Sequence, residues 1–254
     1  MKRPIDEVEE ADQYPYELDA ADHCETPVEA YIHISGVLET IARSLGKTRT
    51  TLNIYDPYYC EGGMVERLRS LGFGAVYNKC EDFYDRVIHS TTPPFDVLVT
   101  NPPYSGEHVP RLLDFCRASG KPWFVLVPNY CYTKPYYVRF LQDSSAEYLY
   151  IAPKKRYLYL TPKGRRQHKS SKITSPFVTF WYCHVPSSFC ERGGLREIVH
   201  RCVDRAQVDV ALGTPSAGLP LSQLDQRDDR KKKERNNLKR KKNKERKKMP
   251  AAKN

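Results

Sequence analysis

Helical spacing of apolar residues predicts the first element of the chain. Over residues 27–45, large aliphatic side chains recur three and four positions apart, and Gly46 ends the pattern. The same kind of spacing predicts further helices at 64–71, 107–118 and 191–206.

Short runs of β-branched and aromatic residues lie between these helices and predict strands. The first four runs cover residues 52–55, 75–77, 95–100 and 123–127. Strands that alternate with helices predict an α/β fold with a parallel, doubly wound sheet. From about residue 147 three more runs follow without helices between them, at 148–151, 157–160 and 177–185. These predict an antiparallel hairpin added to the sheet edge.

Charge divides the chain into three zones. Residues 1–29 carry ten acidic and two basic side chains, whereas residues 227–248 carry fourteen Lys or Arg against four Asp or Glu. Since the whole chain stands at +10, the remaining residues are at about +8 and are basic in their own right. We expect four regions: an acidic, disordered arm at 1–23, a folded domain at 24–212, a linker at 213–226 and a basic, disordered tail at 227–254.

Eight cysteines are scattered singly along the chain, and none forms a Cys-x-x-Cys pair. No signal peptide precedes them, which predicts reduced thiols in an intracellular compartment. Zinc ligands usually come as closely spaced pairs, so we expect no metal site. No stretch approaches the roughly 20 apolar residues of a membrane span, and we expect no membrane association.

The tetrapeptide Asn101-Pro102-Pro103-Tyr104 follows directly on the apolar run at 95–100. In open α/β sheets, ligands bind just beyond the carboxyl ends of the strands. An Asn at such a place offers a carbonyl acceptor and an amide donor, while the prolines stiffen the backbone. With the flat ring of Tyr104, this arrangement suits a planar –NH2 group held by an acceptor pair against an aromatic face.

A second candidate site follows the run at 52–55, where Asp56 leads into a turn with Gly62 and Gly63 before the next predicted helix. A strand, a glycine turn and a helix let the backbone approach a nucleotide-like cofactor. The glycine spacing matches neither the dinucleotide fingerprint nor the P-loop. A structural tight turn is the alternative interpretation.

Together the two sites resemble the class I S-adenosylmethionine-dependent methyltransferases, in the branch that modifies amino groups such as N6 of adenine. The catalytic motif of that branch is matched by residues 101–104. Residues 56–63, Asp-Pro-Tyr-Tyr-Cys-Glu-Gly-Gly, are similar to its cofactor loop, with one residue inserted and with Glu61 where a Gly is usual. The similar segments imply cofactor contacts by Asp56, Pro57, Tyr58, Cys60, Gly62, Gly63, Glu81, Asp82, Phe83, Glu25, Thr26 and Pro27.

The resemblance also assigns roles to these segments. An acid and a ring of residues 81–83 would hold the adenine of S-adenosyl-L-methionine, and residues 25–27 would close over its methionine end. Only about 40 residues separate the cofactor loop from the catalytic motif. The resemblance therefore implies a Rossmann-like methyltransferase fold with a shortened core, in which one βα unit is reduced or lost.

The same resemblance implies the chemistry at the motif. Asn101 and the Pro102 carbonyl would accept hydrogen bonds from the amine, drawing its lone pair out of the ring. Tyr104 would stack on the target base, which must be flipped out of a duplex. Tyr130, after the 123–127 strand, is a candidate for the opposite wall, and an ordinary core or surface tyrosine is its alternative.

A basic segment from 153 to 172 contains eight Lys or Arg and no acid, with aromatic residues among them. Such a mixture suits phosphate contacts combined with base stacking, although an ordinary solvated loop has the same composition. The candidate substrate-binding residues are Lys154, Lys155, Arg156, Lys163, Arg165 and Arg166.

The Lys-rich tail at 227–248 is typical of nuclear or nucleolar addresses and of polyanion binders. It predicts a nuclear import receptor and nucleic acid as partners, with a tail that only improves solubility as the alternative.

These features predict an adenine-N6 methyltransferase of the nucleus or nucleolus that acts on structured RNA, such as ribosomal RNA, rather than on DNA. Two alternatives stay open. One is a protein methyltransferase acting on a glutamine side chain, since release-factor methyltransferases share the same motif. The other is a catalytically inactive RNA-binding factor for ribosome assembly.

Overall fold

The computed structural model describes residues 24–142, 146–159, 173–174, 178–189 and 194–217. The predicted arm and tail lie outside the described residues, and so do Lys163, Arg165 and Arg166 of the basic segment.

Six α-helices lie in the described parts of the chain: α1 (Val28–Ser44), α2 (Gly63–Ser70), α3 (Phe83–Ile88), α4 (His108–Ser119), α5 (Pro135–Gln142) and α6 (Gly194–Ala206). The strands are β1 (Ile54–Tyr55), β2 (Val76–Tyr77), β3 (Val97–Thr100), β4 (Trp123–Pro128), β5 (Leu149–Pro153), β6 (Leu158–Tyr159), β7 (Ile173–Thr174), β8 (Thr179–His184) and β9 (Val210–Gly213). Two 3-10 turns cover Asn129–Thr133 and Ser187–Phe189.

Seven strands form one sheet in the order β2-β1-β3-β4-β8-β5-β9. The first four strands are parallel neighbours, and β8 is antiparallel to both β4 and β5. Because β9 is antiparallel to β5, five strands point one way and two the other. The molecule is a mixed α/β structure with a mostly parallel sheet, compatible with a Rossmann-like fold.

Helices cover both faces of this sheet. One cluster of buried residues joins α1, α2 and α6 to one face, and a second joins α4 and α5 to the other. Successive residues of β4 alternate between the clusters: Phe124 belongs to the first cluster, Trp123 and Val125 to the second. Burial on both faces explains why β3 and β4 read as continuous apolar runs.

The predicted alternation of helices and strands is confirmed, and the boundaries differ by at most three residues. The sequence patterns did not predict α3, α5 or β9. The predicted hairpin takes a different form: β8 inserts between β4 and β5 inside the sheet, and β6 pairs with β7 in a separate ribbon. Among the described residues, β2 lies at one edge of the sheet.

The register of the strands determines which loops share an edge. Pro128, the last residue of β4, lies opposite Thr179, the first of β8. Pro153, the last residue of β5, lies opposite Val210. The loops after β1 to β5 and the start of β8 therefore lie along one edge, which we call the carboxyl edge. No helix in the described ranges has the length and apolar composition to cross a membrane.

Candidate functional site

The connections of the sheet diverge between two neighbouring strands, β1 and β3. From β1 the chain passes through α2 to β2 on one side, and from β3 it passes through α4 to β4 on the other. Such a switch point opens a crevice at the carboxyl ends of the strands, where α/β proteins bind ligands. Asp56 follows β1 and Asn101 follows β3, so the two sequence-predicted sites meet at this crevice.

The carboxyl group of Asp56 is buried, and one of its oxygens accepts hydrogen bonds from the protein. Its Oδ1 accepts from the Thr100 hydroxyl at 2.5 Å and from the Tyr58 backbone N–H at 3.1 Å. Burial, helped by the nearby Glu25 carboxylate, raises the pKa of Asp56 to about 7, although the two hydrogen bonds act to lower it. The hydrogen bonds hold the carboxyl group in place, and its pKa lies near neutrality.

The loop after Asp56 is attached to the segment before α1 through Glu25. The Glu25 carboxylate accepts from the backbone N–H of Glu61 at 2.9 Å and of Gly63 at 3.4 Å, and it pairs with Arg67 of α2. A Cβ on Gly63 would overlap this carboxylate, and Gly62 has a φ of 76° that favours glycine. Local geometry therefore explains why glycine occupies both of these positions in the predicted cofactor loop.

The side-chain amide of Asn101 is held from both sides. Its Nδ2 donates to Thr26 Oγ1 at 3.0 Å, and its Oδ1 accepts from the Tyr104 hydroxyl at 2.6 Å. Pro102 is buried, while Pro103 and Tyr104 are half-buried. Thr26 and Tyr104 therefore orient the amide, a function that their predicted roles did not include.

These groups line one small cleft at the carboxyl edge. Its described lining consists of Cys24, Glu25, Thr26, Tyr31, Asp56, Tyr58, Cys60, Gly62, Met64, Asn78 and Asn101. Two carboxyl groups and no Lys or Arg occur among these lining residues. Since Glu25 already pairs with Arg67 of α2, Asp56 is the carboxyl group that favours a positively charged ligand. No group of three or more His, Cys, Asp or Glu in the described residues is placed to hold a metal ion.

Residues 81–83 lie at a neighbouring crevice, which Asp56 and Pro57 share with Glu81 and Phe83. The Glu81 carboxylate is engaged by Arg86 at 2.5 Å and by the Tyr77 hydroxyl at 2.9 Å. Their roles in holding an adenine ring stay a prediction.

Asp82 and Phe83 have structural contacts of their own at this place. The Asp82 side chain caps α3 by accepting from the backbone N–H of Tyr84 and Asp85. Phe83 is only 4% exposed, which leaves little ring face at the crevice.

Of the basic segment at 153–172, the structure describes only residues 153–159. Lys155 and Arg156 line a groove of about 730 Å³ together with Pro27 and Arg67, next to the cleft. Lys154 pairs with Asp209 at 3.0 Å. Acidic residues also line this groove, so its charge is mixed rather than uniformly basic.

Tyr130 lies on the 3-10 turn after β4, at the same edge as Asn101, and is half-buried. Lys134 Nζ is 5.2 Å from the centroid of its ring. Its role as the opposite wall of an acceptor site stays a prediction.

The sequence patterns did not identify two residues that hold the site, Thr100 and Asn78. Thr100 donates to Asp56, and Asn78 donates through Nδ2 to the carbonyl oxygens of Asp56 and Tyr58, at 3.3 Å each. Asn78 directly follows β2, just as Asp56 follows β1. A search for the first polar residue after each parallel strand would have identified Asn78 from the sequence.

No protein-family model matches the chain, and no curated protein matches it.

Proposed function

We propose that the protein is an S-adenosylmethionine-dependent methyltransferase that modifies the exocyclic N6 amine of adenine in nucleic acid, with structured RNA such as ribosomal RNA as substrate. One observation carries the proposal. Asp56 and the Asn101 amide, from the two motifs of the resemblance, line the same carboxylate-bearing cleft at the switch point of the sheet.

The chemistry of the cleft fits the proposed cofactor. S-adenosylmethionine supplies a methyl group activated by a sulfonium charge, and it carries an ammonium group as a second positive charge. Asp56 provides negative charge for such a ligand, since the charge of Glu25 is already paired with Arg67. Asp56 would bind the cation, while Glu25 would hold the loop through the N–H groups of Glu61 and Gly63.

The acceptor amine would be handled by the motif residues. A carbonyl oxygen has two lone pairs, so Asn101 Oδ1 can accept from a substrate –NH2 in addition to Tyr104. With the Pro102 carbonyl as second acceptor, the amine is oriented and its lone pair is drawn out of conjugation. This accelerates transfer by positioning and electrostatics, and no strong base is required.

A nucleic-acid substrate is supported by the cationic residues next to the cleft. Lys155 and Arg156 line the adjoining groove at the carboxyl edge, where a strand entering the site would carry its phosphates. The preference for RNA and for a nuclear or nucleolar location, with an import receptor as partner, rests on the composition of residues 227–248 alone.

The test is methyl transfer from radiolabelled S-adenosylmethionine to adenine in RNA from cells that lack the protein. Asn101→Ala should lower transfer at least about a hundredfold, because the amine loses its positioning acceptor. Asn53→Ala, a change at the opposite end of β1, should retain activity. Transfer that survives Asn101→Ala would contradict the assigned mechanism.

Two further measurements separate the alternatives. Titration calorimetry with S-adenosylmethionine should give binding, and an absence of binding at millimolar cofactor would favour an inactive RNA-binding factor. Transfer to a glutamine-containing peptide and not to RNA would favour the protein methyltransferase.

A further inference from the structure

Three polar groups from three different segments form a hydrogen-bonded chain that starts at the cleft. The Tyr58 hydroxyl, in the loop after β1, lies 3.0 Å from the Tyr84 hydroxyl of α3. The Tyr84 hydroxyl lies 2.6 Å from Nδ1 of His108, the first residue of α4. All three residues are half-buried, and of the three only Tyr58 belongs to the described lining of the cleft.

The rings of these residues also pack against one another. The Tyr58 ring meets those of Tyr84 and His108 edge-on, with centroids 6.4 Å and 6.0 Å away. The Arg111 guanidinium lies 3.5 Å from the centroid of the Tyr84 ring and covers it. Since the Tyr84 ring is held by this packing, a Phe at position 84 would keep the packing and lose only the hydrogen bonds.

Counting protons assigns a direction to the chain. Each phenol has one proton to donate, and a neutral imidazole has one nitrogen that accepts. When Nδ1 of His108 is that nitrogen, Tyr84 donates to it and Tyr58 donates to Tyr84. Burial raises the pKa of both tyrosines, and their shared hydrogen bond raises that of Tyr58 further while it acts to lower that of Tyr84, as expected for a donor and its acceptor.

The backbone of Tyr58 connects this chain to the carboxyl group of the cleft. The Tyr58 N–H donates to Asp56 Oδ1 at 3.1 Å, and the Tyr58 carbonyl oxygen accepts from Asn78 Nδ2 at 3.3 Å. Any displacement of the Tyr58 side chain therefore acts on a residue whose N–H holds Asp56 in place.

We propose that Tyr84 and His108 are positioning residues of the cleft, which hold the Tyr58 side chain and, through the Tyr58 backbone, the Asp56 carboxyl group. The inference rests on the proposed function, since it takes S-adenosylmethionine as the ligand that Asp56 would bind. It also links the proposed cofactor loop to α4, which begins four residues after Tyr104 of the motif.

The first measurement observes the loop directly and depends on neither ligand nor activity. The backbone ¹⁵N–¹H resonance of Tyr58, in protein labelled with ¹⁵N-tyrosine, is assigned by its loss in Tyr58→Phe. In Tyr84→Phe this resonance should shift, because the Tyr58 side chain has lost its hydrogen-bond partner on α3.

The second measurement is cofactor affinity. Tyr84→Phe should weaken binding of S-adenosylmethionine about fivefold in titration calorimetry, as expected for the loss of a half-exposed hydrogen bond. The KM for S-adenosylmethionine should rise with it, whereas kcat at saturating cofactor should change less than about twofold, because Asn101 and Tyr104 keep their contacts.

A conservative replacement of His108 separates the hydrogen bond from the ring. His108→Asn places a side-chain oxygen near the position of Nδ1 and should keep the affinity within about twofold of wild type. His108→Leu offers no acceptor and should weaken binding as much as Tyr84→Phe. Both variants lose the ring, so their difference reports the hydrogen bond alone.

Controls at other buried and exposed positions test for general effects of the substitutions. Tyr137 on α5 is 1% exposed, and its buried hydroxyl has no hydrogen-bond partner among the residues that the structure describes. Tyr137→Phe should therefore leave the Tyr58 resonance and the affinity unchanged. His200→Leu, at an exposed position of α6, is the control for His108→Leu.

Three results would overturn the inference: an unchanged Tyr58 resonance in folded Tyr84→Phe, an unchanged cofactor affinity of that variant, or equal losses of affinity in His108→Asn and His108→Leu. Wild-type protein that binds no S-adenosylmethionine would overturn the proposed function instead, and the Tyr58 resonance would then decide the positioning alone.

Discussion

At the scale of single residues, the cleft combines a buried carboxyl group with a rigid amide. Asp56 is 6% exposed, and the donors to its Oδ1, the Thr100 hydroxyl and the Tyr58 N–H, compensate only part of the cost of burying its charge. Such a perturbed group in a crevice is typical of a functional site, because a ligand cation can supply the missing compensation. The burial of Asp56 therefore costs folding stability that a bound cation would restore.

Because of this cost, the free energy of unfolding should depend on pH. The folded-state pKa of Asp56 is about 7, against an ordinary value of 3.8. Between these values the folded protein holds a proton that the unfolded chain has released, so stability falls as pH rises and levels off above 7. Relative to wild type, Asp56→Asn should gain roughly 3 kcal/mol between pH 5 and pH 8 in urea unfolding.

The exposed Asp85 provides the control for this experiment. Its side chain is 65% exposed and its contact with His89 is at the surface, so Asp85→Asn should show far less than the roughly 3 kcal/mol gain expected for Asp56→Asn. Parallel profiles for wild type and Asp56→Asn would contradict the assignment of the raised pKa to Asp56.

At the scale of elements, one carboxylate joins three segments around the cleft. Glu25 precedes α1, accepts from two N–H groups of the loop after β1, and pairs with Arg67 of α2. A buried pair of this kind adds little net energy by itself, but removing one partner leaves the other groups without compensation. Glu25 therefore determines the path of the loop after β1, which is the proposed cofactor loop.

Removing this carboxylate should be costly. Glu25→Ala should lower the unfolding free energy by about 3 kcal/mol, because Arg67 and the N–H groups of Glu61 and Gly63 lose their acceptor. Chemical denaturation measures the effect, and cofactor affinity should fall with it.

Glu29→Ala, at an exposed position of the first turn of α1, is the matched control and should stay within about 0.5 kcal/mol of wild type. Equal stabilities of the two variants would show that Glu25 does not hold the loop.

At the scale of the whole molecule, two electrostatic environments meet at the carboxyl edge. The cleft presents Glu25 and Asp56, whereas the adjoining groove presents Lys155 and Arg156 among mixed charges. On the proposed function this separation is useful, because the carboxyl groups of the cleft would attract a cationic cofactor and repel a polyanionic substrate.

RNA binding should depend on the groove cations. Lys155→Ala combined with Arg156→Ala should weaken RNA binding and reduce the salt slope of log K by about 1 to 2, because up to two phosphate contacts are lost. Filter binding at several salt concentrations measures both quantities.

The control removes two charges elsewhere. Arg139 on α5 and Arg196 on α6 are both exposed, and their double replacement by Ala should leave the slope unchanged. An equal effect of both double variants would show that only net charge matters.

The sequence by itself determined the local elements and the positions of the two motifs. The bounds of α1 and the place of Asn101 after a buried strand follow from periodicity, which records the burial of neighbouring residues and is therefore local. The helix α5 was not predicted, because it has only eight residues and several of them are Tyr, Val or Phe, which have low helix propensity.

Only the tertiary structure decided which distant residues meet. Thr26 reaches Asn101 across 75 positions of the sequence, and Glu25 reaches Glu61 across 36. The insertion of β8 between β4 and β5 brings Thr179 to the carboxyl edge, where its Oγ1 lies 2.6 Å from the Tyr159 hydroxyl. Such contacts are set by the order and direction of the packed strands. No periodic pattern in the sequence records them, because the residues that flank each contacting residue are the same whether or not the contact forms.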